Sequence, residues 1–326
     1  MLLSTSHSDR IPRFGVTVLA VVLGALCLAA CYTLFLNPEI SLWKHAYRLK
    51  CQWSRHLPHD QPRIVIYGGS SCGTSVNAAR MRTNHNLPVI NMGLAAGFGA
   101  DMLTQFALNE LRPGDTLIVA LEPELLCADA GLPALGIQCS FAVGHPEFAI
   151  RAGASWPSAL LSLRPDAYHC LTLLGKMLLR QPLYRYSKDE IQSDGWHAVT
   201  ARRDIPEPIV AAFDLSPHGH DLLRRIREYC AERHVRVAYS LPWMYVSPQQ
   251  EAKAKAGFRD FLDQVSSIIP VLNDVALGTH TVKEDFADTP LHLKPEAANR
   301  RSDELARALQ QWDVLPVIPP GGATPR

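Results

Sequence analysis

The sequence predicts an α/β fold of three layers, in which helices cover both faces of a mostly parallel sheet of about five strands. Two β-branched, apolar runs that end at glycines, Arg63 to Tyr67 and Leu87 to Met92, predict buried strands with a helix between them. A third such run, Asp115 to Leu121, follows a segment from Asp101 to Arg112 whose apolar residues recur at helical spacing. Because strands and helices alternate, neighbouring strands are expected to run parallel.

The second half of the chain breaks this alternation and then resumes it. Helical stretches and a polar segment between about Leu126 and Pro208 predict an insertion or lid. Ser216 and Pro217 are typical of a helix start, and Val235 to Leu241 reads as the next strand. A further helix, a short strand around Val271 and a last helix from Pro295 complete the predicted domain.

The N-terminus contains an apolar segment long enough to cross a membrane. Phe14 to Leu36 carries no charged residue, and about 23 residues exceed the length that a bilayer requires of a helix. Arg10 and Arg13 precede it and favour a cytoplasmic N-terminus, so a single-pass anchor in a bacterial inner membrane is expected, with the main domain in the periplasm or outside. Alternatively, Leu28 to Cys31 resembles a lipobox, in which case Cys31 would be lipidated after cleavage.

These features divide the chain into four parts. Residues 1–45 form the anchor or signal segment, 46–62 a linker, and 63–314 the folded domain with its insertion at about 126–208. Residues 315–326 contain four prolines and two glycines, a composition that predicts a disordered tail.

Charge and cysteine content exclude some classes of function. Thirty-two Lys and Arg against 31 Asp and Glu give a net charge of +1, so nucleic acid is not an expected partner. The eight cysteines show no paired CxxC spacing, and we expect neither a bound metal nor a cofactor. Cys127 and Cys139 could form a disulfide in an oxidising compartment or could be buried thiols.

Ligands of open parallel sheets bind outside the carboxyl ends of the strands. Four segments are expected at that edge: Gly68 to Ser71, Asn91 to Gly93, Glu122 to Glu124, and Asp288 to His292.

Three of these side chains suit nucleophilic catalysis. A serine hydroxyl needs a base to remove its proton, and an imidazole base works best when a carboxylate orients it. Ser70, His292 and Asp288 supply those groups. Glycine before Ser70 allows a sharp turn that exposes the hydroxyl, and backbone N–H groups at such a turn can hold an oxyanion.

In these segments the chain resembles the SGNH or GDSL-type hydrolases, in particular their membrane-anchored, envelope-associated branch. Tyr67 to Ser71 is similar to the family's first block, Asn91 to Gly93 to the second, and Asp288 to His292 to the last. The resemblance implies a flavodoxin-like sheet, Ser70 as nucleophile, and an oxyanion hole formed by the N–H groups of Ser70 and Gly93.

Two departures from the family pattern add further candidate residues. The family's third block ends in Gly-x-Asn-Asp, whereas Leu121 to Glu124 supply no asparagine, and an ionised Glu122 would oppose an oxyanion. The last block is Asp-x-x-x-His rather than Asp-x-x-His, so Asp285 is a second candidate partner for His292. Glu122 and Asp285 are therefore possible site residues, together with Asn91 of the second block.

The resemblance implies a serine esterase or acetyltransferase that acts on acyl esters of a cell-envelope polysaccharide. The alternative is a non-catalytic protein of the same fold that binds a glycan or an export partner, since loss of one oxyanion donor can cost about 100- to 1,000-fold in rate.

Overall fold

A computed structural model describes residues 10–59, 61–129, 131–165, 167–200, 205, 213–274 and 276–313. Its centre is a sheet of four parallel strands in the order β2-β1-β3-β4. The strands are β1 (Ile64–Tyr67), β2 (Val89–Asn91), β3 (Thr116–Val119) and β4 (Arg236–Tyr239). The expected α/β class and parallel sheet are confirmed.

The predicted fifth strand is wrong, because only one bridge forms at its position. Val271 pairs in parallel with Tyr239 at the free edge of β4. Tyr239 N–H donates to the Pro270 carbonyl and Leu272 N–H donates to the Tyr239 carbonyl, both at 2.8 Å. Pro270 has no N–H to continue the ladder, so the sheet has four strands rather than five.

Helices surround the sheet and follow the chain in this order: α1 (Arg10–Cys31), α2 (Pro38–His56), α3 (Ser70–Ser75), α4 (Ala78–His85), α5 (Ala100–Leu108), α6 (Pro123–Cys127), α7 (Ala134–Val143), α8 (Glu147–Arg151), α9 (Trp156–Leu161), α10 (Ala167–Leu178), α11 (Pro217–Glu232), α12 (Glu251–Ser266) and α13 (Pro295–Asp313). A short pair of parallel strands, β5 (Met244–Tyr245) and β6 (Thr279–His280), stands apart from the main sheet. Sequence patterns did not predict this pair, since two residues show no periodicity.

Apolar side chains of the sheet alternate between two cores. Val65 and Tyr67 pack into the larger core with residues of α2, α5, α7, α11 and α12. Ile64 and Ile66 pack into the smaller core with residues of α4 and α13. Both faces of the sheet are therefore buried, as its near-continuous apolar strands require.

Phe14–Leu36 forms a helical segment that is long and apolar enough to span a membrane, and none of its most apolar stretch is buried against the rest of the protein. Its last turn, Tyr32–Leu36, is a π-helix. Asn37 then caps α2, since its side chain accepts hydrogen bonds from the N–H groups of Glu39 and Ile40.

Most of the expected linker is a helix of the folded domain. Within α2, Ile40, Trp43 and Tyr47 are buried in the larger core. Lys50 is also buried, and its ammonium group donates to the Asn91 carbonyl at 2.9 Å. The prediction of a linker at 46–62 was wrong for most of its length, because α2 continues to His56. The basic residues made the segment look polar, although its apolar residues recur at helical spacing.

The insertion is partly core. Ile137, Cys139 and Phe148, in α7 and α8, are buried in the larger core. The cysteines, Cys127 and Cys139 among them, are free thiols, so the disulfide alternative does not hold. The predicted tail, residues 315–326, lies outside the described residues.

Candidate functional site

Ser70 begins helix α3 at the carboxyl end of β1. Gly69 precedes it with extended backbone angles and forms the N-cap of the helix. A Cβ atom on Gly69 would lie 2.3 Å from a carboxylate oxygen of Glu122, so a side chain at this position would displace that carboxylate. Ser70 is partly exposed, and its hydroxyl makes no hydrogen bond with any residue that the structure describes. The turn therefore presents the hydroxyl at the edge of the sheet where ligands of this architecture bind.

Asp288 and His292 form a buried hydrogen-bonded pair. Asp288 Oδ1 lies 2.7 Å from His292 Nδ1, and the two side chains are at most 4 % exposed. With Nδ1 engaged by the carboxylate, Nε2 is the ring nitrogen that can exchange a proton with another group. Asp-x-x-x-His spacing thus brings the carboxylate and the imidazole together, as the Ser-His-Asp arrangement requires.

Hydrogen bonds hold the histidine loop against α3. Ser75 Oγ donates to the Leu291 carbonyl at 3.2 Å and accepts from Leu293 N–H at 3.3 Å. Ser75 lies at the end of α3, five residues after Ser70, and Leu291 and Leu293 flank His292. Tyr245 of β5 secures the same loop, since its N–H donates to the Pro290 carbonyl at 2.7 Å. The structure therefore places His292 beside the helix that Ser70 begins, although no direct hydrogen bond joins the two side chains among the described residues.

Tyr186 is a second hydrogen-bond partner of the Asp288 carboxylate, and the sequence patterns did not predict it. Its hydroxyl donates to Asp288 Oδ2 at 2.7 Å and lies 3.4 Å from His292 Nδ1. Arg185 Nη1 is 3.9 Å from the same carboxylate oxygen. Burial alone would raise the pKa of Asp288, but the hydrogen bonds from His292 and Tyr186, with the charges of His292 and Arg185, lower it to about 2. Asp288 is therefore a carboxylate throughout the neutral range.

Glu122 occupies backbone donors of the turn. Its carboxylate accepts from Gly69 N–H at 3.0 Å and from Ser71 N–H at 2.9 Å. Glu122 is buried at the end of β3, so this contact ties the ends of two adjacent strands together. It also puts a carboxylate next to the turn where an oxyanion would form, and neither of these two N–H groups is free for a substrate.

Gly93 and Asn91 are joined by a hydrogen bond. Gly93 N–H donates to Asn91 Oδ1 at 2.8 Å. The Asn91 amide group donates to the carbonyls of Cys72 and Val76 at 2.9 and 2.6 Å, so this side chain fastens α3 to β2. In this arrangement Gly93 cannot bind an oxyanion unless Asn91 releases it. Of the two predicted oxyanion donors, only Ser70 N–H has no partner among the described residues.

Asp285 pairs with His280 and not with His292. Its Oδ2 atom is 2.5 Å from His280 Nε2 and 2.6 Å from Arg300 Nη2. Asp288 fills the place beside His292, so Asp285 is not the partner that the family spacing suggested.

Trp196 and His197, from the insertion, cover α3. Trp196 Nε1 donates to the Thr74 carbonyl at 2.8 Å, and His197 N–H donates to the Gly73 carbonyl at 3.2 Å. Trp196 is buried and holds this loop against α3. The His197 ring stands perpendicular to Tyr186 at 4.8 Å between centroids, and both of its nitrogens lack a hydrogen-bond partner in the described structure.

Acid is expected to destabilise the protein through His197. Burial, with the nearby charges of His292 and Lys50, lowers the pKa of His197 to about 3, although Glu190 Oε2 lies 3.6 Å away, beyond hydrogen-bonding distance. The unfolded chain binds the proton near pH 6.5, so stability is full above that pH and falls as the pH drops towards 3. At about pH 4.5 this costs roughly 3 kcal/mol.

We therefore expect His197→Phe to unfold near the wild-type temperature at pH 7 and well above it at about pH 4.5. Thermal unfolding at the two pH values measures this difference. His220→Gln, an exposed position on α11, is the control. Equal loss of stability in wild type and His197→Phe on acidification would contradict the assignment.

A groove of about 310 Å³ lies between the start of α2 and the segment 183–188. Tyr186 lines this groove, as does Pro38, two residues after the apolar segment; Ser70 does not line it.

No family model, no curated protein and no solved structure matches this chain. The function of the site rests on its geometry.

Proposed function

We propose that the protein is an extracytoplasmic serine esterase or acyltransferase of the SGNH type, which acts on acyl esters of a cell-envelope polysaccharide. Phe14–Leu36 would anchor it as a single-pass protein of the inner membrane with the domain on the periplasmic side; a lipoprotein attached through Cys31 is the alternative. The parallel sheet order β2-β1-β3-β4, with Val271 bridging to the outer edge of β4, is compatible with a flavodoxin-like arrangement.

The buried Asp288–His292 pair carries the proposal. A carboxylate that holds one imidazole nitrogen at 2.7 Å, with a low pKa, orients a base and stabilises its protonated form. The pair lies in a loop bonded to α3, the helix that starts with a partly exposed serine after a glycine turn. Such a constellation suits acyl transfer better than metal or redox chemistry because it offers a nucleophile, a base and an orienting carboxylate.

In the proposed reaction, Ser70 Oγ attacks the ester carbonyl carbon while His292 Nε2 takes its proton. The proton then passes to the departing alcohol oxygen as the carbon–oxygen bond breaks, which leaves an acyl group on Ser70. Water or an acceptor hydroxyl, deprotonated by His292, attacks the acyl carbon, and His292 returns the proton to Ser70 Oγ as the acyl–serine bond breaks. Ser70 N–H stabilises the oxyanion, and Gly93 N–H joins it if Asn91 moves.

Active-site labelling tests the nucleophile. Full-length protein in detergent is treated with a fluorescent serine-directed phosphonate, and the labelled chain is read on a gel. We expect label on the wild type and none on Ser70→Ala, because the phosphonate bonds to the activated oxygen. Ser71→Ala is the matched control, since the Ser71 hydroxyl is buried and has no hydrogen-bond partner in the described part of the chain.

Label on Ser70→Ala equal to that on the wild type would refute this role. An unlabelled wild type that remains folded would favour a second candidate, a non-catalytic envelope protein that binds a glycan or an export partner. That candidate is supported by Asn91, which occupies the N–H of Gly93, one of the two predicted oxyanion donors. Glu122 supports it as well, because its carboxylate is bound at the same turn and would oppose an oxyanion.

A further inference from the structure

Helix α10 directs its apolar residues away from the protein. Leu171, Leu174, Met177 and Leu178 are between 52 and 76 % exposed. They recur at intervals of three or four residues and share one face of the helix. A surface helix of a soluble domain normally places such a stripe against the core. Leu179, directly after the helix, and Trp156, Leu160 and Leu161 of α9 are also more than half exposed.

The part of the chain that contains α10 is basic. Residues 151–186 contain one acidic residue, Asp166, and five basic ones: Arg151, Arg164, Lys176, Arg180 and Arg185. An apolar face among Lys and Arg residues is the pattern of a helix that lies in the interface of an anionic bilayer. With twelve residues, α10 is too short to cross a membrane.

Helix α10 lies near the end of the apolar N-terminal segment. Cys170, on α10, is near enough to Tyr32 for the two side chains to interact electrostatically. Tyr184, six residues after α10, donates to Glu39 Oε1 at 3.0 Å in the first turn of α2. Helix α2 belongs to the core and begins two residues after the segment, so no flexible linker separates the domain from it. A membrane that holds the segment therefore lies close to α10.

We propose that α10 is an interfacial helix, which inserts Leu171, Leu174, Met177 and Leu178 among the lipids of the membrane that holds the N-terminal segment, with anionic headgroups on the neighbouring basic residues. The helix fixes the orientation of the domain. Pro38, two residues after the apolar segment, lines the groove that Tyr186 also lines, so this groove lies near the membrane surface. The contact with lipid does not depend on the proposed catalysis.

Photocrosslinking tests the contact. A benzophenone amino acid replaces Leu171, Leu174 or Leu178 in the full-length chain, which is reconstituted in vesicles of phosphatidylcholine with or without phosphatidylglycerol. Lys253, exposed on α12, is the control position. After irradiation, mass spectrometry identifies the adducts. We expect phospholipid adducts at the three α10 positions and none at Lys253, with yields several-fold higher when phosphatidylglycerol is present.

Three results would overturn the proposal. Crosslinked dimers without lipid adducts would make this face an interface between copies of the chain. Equal lipid adducts at Lys253 would show contact without specificity, and the absence of adducts at the α10 positions would show no contact at all. Yields that do not respond to phosphatidylglycerol would remove the role of the basic residues.

Discussion

Replacing His292 by alanine is expected to slow hydrolysis of an activated acetyl ester by about 100- to 10,000-fold, the range that a positioned general base contributes. Without the imidazole, the Ser70 hydroxyl keeps its proton at neutral pH and attacks poorly. The buried carboxylate of Asp288 then loses its partner at 2.7 Å and has nothing to orient. The measurement is kcat/KM of the full-length protein in detergent, with circular dichroism to establish that the variant is folded.

His218→Ala is the control for this variant. His218 also pairs with a carboxylate, since its Nε2 atom lies 2.6 Å from Asp101 Oδ2, but this pair joins α11 to α5 and is not part of the site. We expect its loss to leave kcat/KM unchanged. Equal activity of His292→Ala and wild type would contradict the proposed base, and an equal loss in His218→Ala would attribute the effect to folding.

Local patterns predicted the elements of the fold well. A β-branched run ends at Gly68 because that backbone packs against β3: a Cβ atom there would lie 2.0 Å from the Ala120 carbonyl oxygen. Ser216 caps α11 through a hydrogen bond to Gly219 N–H, as its position before a proline indicates. These signals are local because the physics behind them is local: backbone sterics, capping and alternation.

The sequence contains the pattern that would have predicted helix α2 in place of a linker. Ile40, Trp43, Tyr47 and Cys51 recur every three or four residues, and all four are buried in α2. The basic residues between them made the average composition look polar, although periodicity rather than composition identifies an amphipathic helix.

The polar contacts of the site join residues that are far apart in the sequence. Tyr186 reaches Asp288 across 102 residues of chain, and Glu122 reaches Ser71 across 51. No spacing rule connects such residues, because the packing of the insertion and the register of the sheet bring them together. The block pattern identified Asp288 and His292 because both belong to one loop. It missed Tyr186 and Arg185, which lower the pKa of Asp288.

A buried ion pair at the opposite edge of the sheet is expected to be costly to break. Arg63 precedes β1 and Asp115 precedes β3; Arg63 Nη2 and Asp115 Oδ2 are 2.7 Å apart, and the two side chains are at most 1 % exposed. Asp115 also accepts from the N–H groups of Arg63 and Arg112. Arg63 Nη1 donates to Ser54 in α2, so the pair joins two strands to the helix that leads from the apolar segment.

Asp115→Ala is expected to destabilise the protein by about 3 to 5 kcal/mol, because it leaves the guanidinium buried without a counter-charge. For a domain of this size the unfolding temperature should fall by about 10 °C. Thermal unfolding in detergent measures the shift.

The control is Asp221→Ala, which breaks an ion pair with Arg224 on α11 whose two side chains are more than half exposed. An exposed pair contributes less than about 1 kcal/mol, so this variant should unfold near the wild-type temperature. The double substitution Arg63→Met with Asp115→Ala should recover part of the loss, because it removes the uncompensated charge while the two backbone N–H groups stay without their acceptor. If Asp115→Ala unfolded no earlier than Asp221→Ala, water must reach the guanidinium, and the pair would be worth no more than a surface contact.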